Sequence, residues 1–209
     1  MIRIGILGDI GSGKSFVAKQ FGYPVFNADK EVGEIYKKSK KCYMKLKKVL
    51  PKDIISFPID KREISKAIIG NSNNIKKIIS IVHPEVRTKM NYFISKNKKK
   101  RFVILDIPLL MEKKLNKKKD ILIFVDAKKK EINKRLLKRP NFKPKIVEKL
   151  KILQLPLEYK KKKSHFIIKN YYNKNATKKI VKIILKEILL NARGYSWYRN
   201  NWIISCGKA

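Results

Sequence analysis

Cysteine is scarce. Cys42 and Cys206 stand far apart, too few for a disulfide framework and without the spacing that holds zinc. Acidic side chains are scarce too, 16 against 53 Lys and Arg. No apolar run approaches the roughly 18 residues that cross a bilayer, so no membrane partner is expected. The chain opens on a short apolar run and a glycine-rich loop, so no secretory leader is expected and the cytoplasm is the expected compartment. G-x-G-x-x-G is also missing, which argues against a Rossmann dinucleotide site.

What is present is basic. The net charge is +37, carried by lysines such as Lys37-Lys38, Lys98-Lys99-Lys100, Lys117-Lys118-Lys119 and Lys160 to Lys163. A nucleic-acid reader concentrates charge on one face and interleaves aromatics. Here lysine is spread over nearly every polar segment, and Asn and Ile are abundant beside it. That trio reads as drift toward A/T-rich codons. Attraction to anionic small molecules follows, with non-specific polyanion binding at low salt and no specific nucleic-acid partner. At 209 residues and 44% hydrophobic, the chain can build one domain with insertions.

The organising stretch is Gly8-Asp9-Ile10-Gly11-Ser12-Gly13-Lys14-Ser15, of the form G-x-x-x-x-G-K-S. Ile2 to Leu7 before it reads as a buried strand, and Phe16 to Phe21 after it opens a helix. Strand, glycine loop and helix together are the context of a P-loop. The glycines let backbone N–H groups converge on phosphate, and the helix start adds a positive dipole end. Lys14 then reaches the β- and γ-phosphates of ATP and the Ser15 hydroxyl holds Mg²⁺.

Val25-Phe26 reads as a second strand with Asp29 at its carboxyl end, where open α/β sheets gather ligands. Two roles fit Asp29, chemistry and the N-cap of the next helix. Residues 30–100 read as mostly helical, a substrate-holding insertion. His83-Pro84-Glu85-Val86-Arg87 falls between its two clearest helices, with Pro84 at a helix start. His83 and Arg87 there either hold a phosphate or serve structure and surface. Arg101 to Asp106 reads as a further strand, with Asp106 facing the metal. Glu112 is either a second acid near the metal or a solvated helix residue. Ile121 to Val125 reads as a strand whose Asp126 caps the following helix. Arg139 to Lys145 suits a mobile lid. His165 to Ile168 reads as the last core strand, ended by Asn170, and Lys174 to Leu190 as a helix packed on the sheet. From Asn191 the composition changes and no clean period remains.

In combination, the P-loop, Asn27-Ala28-Asp29, His83-Pro84-Glu85-Val86-Arg87, Asp106-Ile107-Pro108-Leu109-Leu110-Met111-Glu112 and the Gln154-x-Pro156-Leu157-Glu158-x-Lys160 segment resemble dephospho-CoA kinase, from about Ile2 to about Leu190. The resemblance implies ATP- and Mg²⁺-dependent phosphorylation of the ribose 3′-hydroxyl of dephospho-CoA. It implies a three-layer α/β P-loop fold with a five-stranded parallel sheet. The core would be about 1–29, 101–138 and 164–190, the helical CoA-side insertion about 30–100, the lid about 139–163, and the tail 191–209. By resemblance Asp29 is the catalytic acid, beside Lys14. Gly8, Gly11, Ser12, Gly13, Lys14, Ser15, Phe16 and Arg139 bind ATP. His83 and Arg87 lie on the acceptor side, and Ser15 and Asp106, with Glu112, serve the metal. The chain is expected as a monomer or small homo-oligomer. Asp9 and Phe16 stand where family members commonly carry Gly and Thr, the lid has lysine in place of much arginine, and Ser164 to Asn170 lacks two family acids. The alternatives are another P-loop kinase acting on a small molecule or nucleoside monophosphate, and a basic NTPase stimulated by nucleic acid.

Overall fold

Parallel strands are buried on both faces and therefore read as unbroken apolar runs. The runs at Ile2, Phe102, Ile121 and Phe166 all become such strands. The computed structural model describes residues 1–140 and 142–191, with the backbone of 202–204. Apart from that short backbone stretch, the Trp-rich tail from residue 192 on, together with the question of its order, lies outside the described residues. The strands are β1 (Ile2–Gly8), β2 (Val25–Asn27), β3 (Phe102–Asp106), β4 (Ile121–Asp126), β5 (Phe166–Lys169) and β6 (Trp202–Ile204). The helices are α1 (Lys14–Gln20), α2 (Ala28–Lys38), α3 (Lys40–Val49), α4 (Lys61–Gly70), α5 (Ser72–Lys96), α6 (Lys129–Leu137), α7 (Pro144–Ile152), α8 (Leu157–Lys162) and α9 (Lys174–Asn191). The sheet order is β2-β3-β1-β4-β5-β6. β1 pairs in parallel with β3 and β4, β4 with β5, and β5 with β6. The five expected strands are present. β6 is an addition from the tail, and three residues are too few for a period of two to show in sequence.

The chain forms two compact units. A sheet unit holds Met1–Phe26, Lys98–Phe142 and Leu153–Ala209, and a helical unit holds Asn27–Asn97 and Lys143–Ile152. The stretch 139–163 is thus divided, with 143–152 in the helical unit and 153–163 in the sheet unit.

In the sheet unit, alternate strand residues face opposite layers. Ile4, Ile6, Ile104, Ile123, Val125 and Ile168 form one core with Val17, Ala18 and Phe21 of α1 and Ile180, Val181, Ile184 and Ile188 of α9. On the other face, Gly5 lies under Leu110. A Cβ at position 5 would run into the Leu110 side chain and come 3.0 Å from Leu122 Cδ2. Glycine in this central strand marks that close approach. Gly5→Ala is expected to cost about 1–3 kcal/mol through overpacking. The readout is a lower denaturant midpoint at unchanged slope.

The connection from β3 to β4, residues 107–120, consists of turns and bends with no regular helix. Parallel neighbours are usually joined through a helix. This one is pinned instead by side chains. Arg3 Nη2 donates to Leu115 O at 3.1 Å and to Asp120 Oδ2 at 2.8 Å. Burial still holds the Asp120 carboxyl above its ordinary range, outweighing the Lys117 N–H and Arg3. Asp126 does not cap α6: the N-cap position is Lys128, and Asp126 Oδ2 lies 3.3 Å from Lys161 Nζ.

In the helical unit, Asn27 caps α2, its side-chain oxygen accepting from Lys30 N at 2.8 Å. Asp29 is therefore in the first turn and is not the cap. The expected helix start at Pro84 is also corrected. α5 runs unbroken through it. A proline inside a helix costs about 3 kcal/mol. Here Ile75, Ile78, Val82, Val86 and Met90 bury one stripe on both sides of it, and that burial outweighs the lost hydrogen bond. Lys149 of α7 closes the end of α4, donating to Ile68 O at 2.7 Å and Ile69 O at 3.0 Å, a cation on the negative end of a helix. Among the described residues no helix is long and apolar enough to cross a membrane.

Candidate active site

β1 is flanked by β3 and β4, and the chain visits one side before the other, so its carboxyl end is the switch point where α/β sheets bind ligands. The glycine loop leaves the sheet there. Gly8, Gly11 and Gly13 have φ of 146°, 87° and 92°. These values turn the backbone in ways a side chain resists. A Cβ on Gly8 would sit 2.6 Å from Val125 O, and one on Gly11 would press on Ile132 and Leu136 of α6 at 3.0 Å. Gly13 is the N-cap position of α1, so Lys14 and Ser15 open the helix with their N–H groups at its positive end. Lys14 Nζ arches back over the loop, donating to Asp9 O at 2.8 Å and Gly8 O at 3.3 Å. Phe16 is half-buried behind it, packed on the core that includes Val17. The Ser12 hydroxyl is buried with no hydrogen-bond partner among the described residues. Asp9 Oδ1 accepts from the Ile10 N–H at 2.6 Å, which directs that carboxylate onto its own loop.

Asp106 ends β3 and is 3% exposed. Its register partner is Ile6, two residues before Gly8, so the sheet carries it to the same edge as the loop. Glu112 is neither on a helix nor solvated. Its side chain is 6% exposed, and Oε1 accepts from Lys160 Nζ at 3.2 Å and from Leu155 N at 3.0 Å. Lys160 is 1% exposed and also donates to Gln154 Oε1 at 3.0 Å. The acid after β3 and the lysine of the Gln154–Lys160 segment thus meet in one buried network. Arg139 lies in the turn after α6, its N–H bonded to Leu136 O at 3.1 Å. Its charge, like that of Arg135, bears on Tyr172.

Three residues that the sequence did not single out as site residues crowd the loop. Asn170 Nδ2 donates to Ser12 O at 2.8 Å, Tyr172 OH donates to Gly11 O at 2.9 Å, and Arg135 stacks 4.0 Å above the Tyr172 ring. Only Asn170 left a trace, as the end of the last core strand.

The helical unit holds Asp29, His83 and Arg87. Asp29 is exposed in the first turn of α2, two residues from Glu31, which pairs with Lys89 of α5 at 3.2 Å. His83 and Arg87 lie one turn apart on α5, half-buried and exposed respectively. Cys42 is buried in the same unit. Burial pushes its thiol up to about 12, so it is no nucleophile at neutral pH.

The arrangement suits transfer of a phosphoryl group. The loop offers N–H groups, a cation and a hydroxyl to a polyphosphate, with a carboxylate at the same sheet edge. Comparison with known proteins agrees. A family model described as dephospho-CoA kinase matches residues 2–176. A protein of that description from Wolbachia pipientis wMel is 35% identical over 193 residues, covering 90% of this chain and 98% of the relative. A crystal structure from Thermus thermophilus matches with a TM-score of 0.71 at 29% identity, over 90% of this chain and 97% of that one. The structure of a dephospho-CoA kinase from Campylobacter jejuni matches at 0.58 and 21% identity, over 89% of this chain and 96% of that one, and shows the shared fold.

Proposed function

This chain belongs to the dephospho-CoA kinase family, and from that membership we propose how its residues divide the work. The reaction moves the γ-phosphoryl group of ATP to the ribose 3′-hydroxyl of dephospho-CoA. An O–P bond forms at the 3′-oxygen, the bond from the γ-phosphorus to the β–γ bridging oxygen breaks, and the hydroxyl proton leaves. The products are coenzyme A and ADP, the last step of coenzyme A synthesis. The observation that carries this reading is the loop at the end of β1, with Lys14 and Ser15 at the first turn of α1.

Gly8, Gly11, Ser12, Gly13 and Phe16 shape the cradle for the ATP phosphates. Lys14 neutralises charge on the transferring group, where most of the catalysis in this chemistry lies. Arg139 and the lysines after it serve as the lid over the ATP phosphates. Asp29 orients the acceptor hydroxyl and takes its proton. His83 and Arg87 hold the acceptor's anionic groups, so the helical unit is the CoA side. The oxygens of Ser15 and Asp106 suit Mg²⁺, which keeps several waters and takes only one or two protein ligands beside substrate phosphates. Held there, Mg²⁺ would offset the charge on the β- and γ-phosphates. Glu112 gives Oε1 to Lys160 and Leu155 N, while its buried Oε2 has no hydrogen-bond partner among the described residues and is the oxygen it would offer to the metal region. The enzyme works in the cytoplasm as a monomer or small homo-oligomer, and its +37 charge gives only salt-sensitive attraction to nucleic acid.

A coupled ADP-release assay tests this reading. ADP release is expected to require dephospho-CoA and to stop when EDTA removes the divalent cation. Nucleoside monophosphates should not replace the acceptor, and RNA should not stimulate turnover. ADP release indifferent to dephospho-CoA, in folded protein that binds ATP, overturns the assignment.

A further inference from the structure

We propose that Asn170 and Tyr172 are positioning residues for ATP, gripping two carbonyls of the phosphate loop so that the Gly13 N–H faces inward and the turn before it keeps its shape. The inference rests on the loop being the ATP site. In a planar trans peptide, the carbonyl of one residue and the N–H of the next point in opposite directions. Fixing the carbonyl therefore aims the N–H. Asn170 Nδ2 holds Ser12 O at 2.8 Å, which aims the Gly13 N–H away from Asn170. Tyr172 OH holds Gly11 O at 2.9 Å and fixes the peptide before it, whose Ser12 N–H closes the turn onto Asp9 O at 3.1 Å. Two adjacent peptides of the loop are thus pinned from behind.

The clamp is itself held on every side. Asn170 N donates to Asp126 O at 2.7 Å, at the end of β4. Asn170 Oδ1 accepts from Tyr172 N at 2.9 Å, which leaves the amide nitrogen turned to Ser12. Tyr172 sits at φ 60°, a left-handed conformation that a large side chain seldom adopts. Arg135 covers its ring. Burial raises the Tyr172 phenol above its ordinary range, so the hydroxyl stays protonated and donates. Gly13 is pressed against both partners. A Cβ there would run into Asn170 Nδ2 and sit 2.9 Å from Tyr172 Cε1. The close fit gives Gly13 a reason besides its own φ.

The test is ATP and ADP affinity by calorimetry for Tyr172→Phe and Asn170→Ala, with steady-state KM for both substrates. Tyr172→Phe deletes only the hydroxyl. It is expected to weaken ATP binding about 3- to 10-fold, the worth of one net hydrogen bond. Asn170→Ala removes a buried donor and is expected to weaken it about 10-fold or more. The KM for dephospho-CoA should stay within about twofold in both. A merely structural role would lower the melting temperature and move both substrates alike, and that outcome overturns the inference. ATP binding unchanged in both variants also overturns it while leaving the ATP site intact. A parent chain that does not bind ATP overturns the site assignment and this inference with it.

Discussion

Asp29→Asn is expected to lower kcat by about 10²- to 10⁴-fold while ATP affinity changes little. The substitution keeps size and shape and removes the carboxylate proposed to accept the hydroxyl proton. Position 29 suits the experiment because the cap of the helix is held by another side chain. The cap of α2 is Asn27, through Lys30 N at 2.8 Å, and Asp29 is exposed. As a negative charge in a first helical turn Asp29 contributes about 0.3–1 kcal/mol, and asparagine keeps the side chain's size and one acceptor oxygen. The melting temperature should therefore fall by a few degrees at most while turnover collapses. Single-turnover rates with saturating ATP and dephospho-CoA make the measurement. A variant within a few-fold of the parent would return Asp29 to the modest role of a dipole partner. A large loss of ATP affinity would mean that the effect reaches the phosphate loop.

The same residue marks how far sequence carries the reading. The glycine loop was legible because its pattern is local: three glycines, a lysine and two serines within eight positions, after a buried strand. Asp29 was legible as a strand-end acid, but the cap expected of it falls to Asn27, two residues earlier, because the helix starts at Ala28. Pro84 misled because a local rule was applied where a long stripe of buried apolar residues decides the helix. Lys160 was legible as the end of the Gln154–Lys160 segment, but its burial was not. In the run Lys160 to Lys163 the four side chains are chemically identical, and only the fold buries one of them to 1% exposure. Tyr172 gives no signal in the sequence either, since its role depends on a carbonyl 161 positions away. Pairings between distant residues are set by topology, and no local pattern encodes them.

The charge excess has a related lesson. A net +37 reads at first as the mark of a polyanion binder. Several of those lysines have defined partners among the described residues. Lys14 bends onto its own loop, Lys149 closes α4, Lys160 is buried, and Lys38, Lys89 and Lys161 pair with single acids at 2.8, 3.2 and 3.3 Å. Exposed pairs of this kind contribute about 0–1 kcal/mol each. The informative cations are therefore those whose geometry is fixed, and their number has little to do with the total.

Lys160→Met is expected to cost about 3–5 kcal/mol, the price of leaving a buried carboxylate without its partner. Glu112 and Lys160 are 6% and 1% exposed, so solvent cannot replace what is lost. The network also ties two stretches that have no ladder of their own. Glu112 sits in the turns of 107–120, and Leu155 and Gln154 precede α8. For a chain of this length the loss corresponds to a melting temperature lower by about 6–20 °C. Glu112→Gln should cost less, because its amide oxygen still accepts from Leu155 N and Lys160. The decisive measurement is the double variant, Glu112→Gln with Lys160→Met, in a double-mutant cycle. A well-packed neutral pair removes both buried charges, so the double variant should be more stable than Lys160→Met alone. Additive losses would show that the two charges do not depend on each other, and that shape alone holds the connection over β1. With the folded double variant in hand, its kcat also reports on Glu112. Turnover close to the parent's would confine that carboxylate to support, and a loss of about 10²-fold or more would bring it into the reaction beside Asp106.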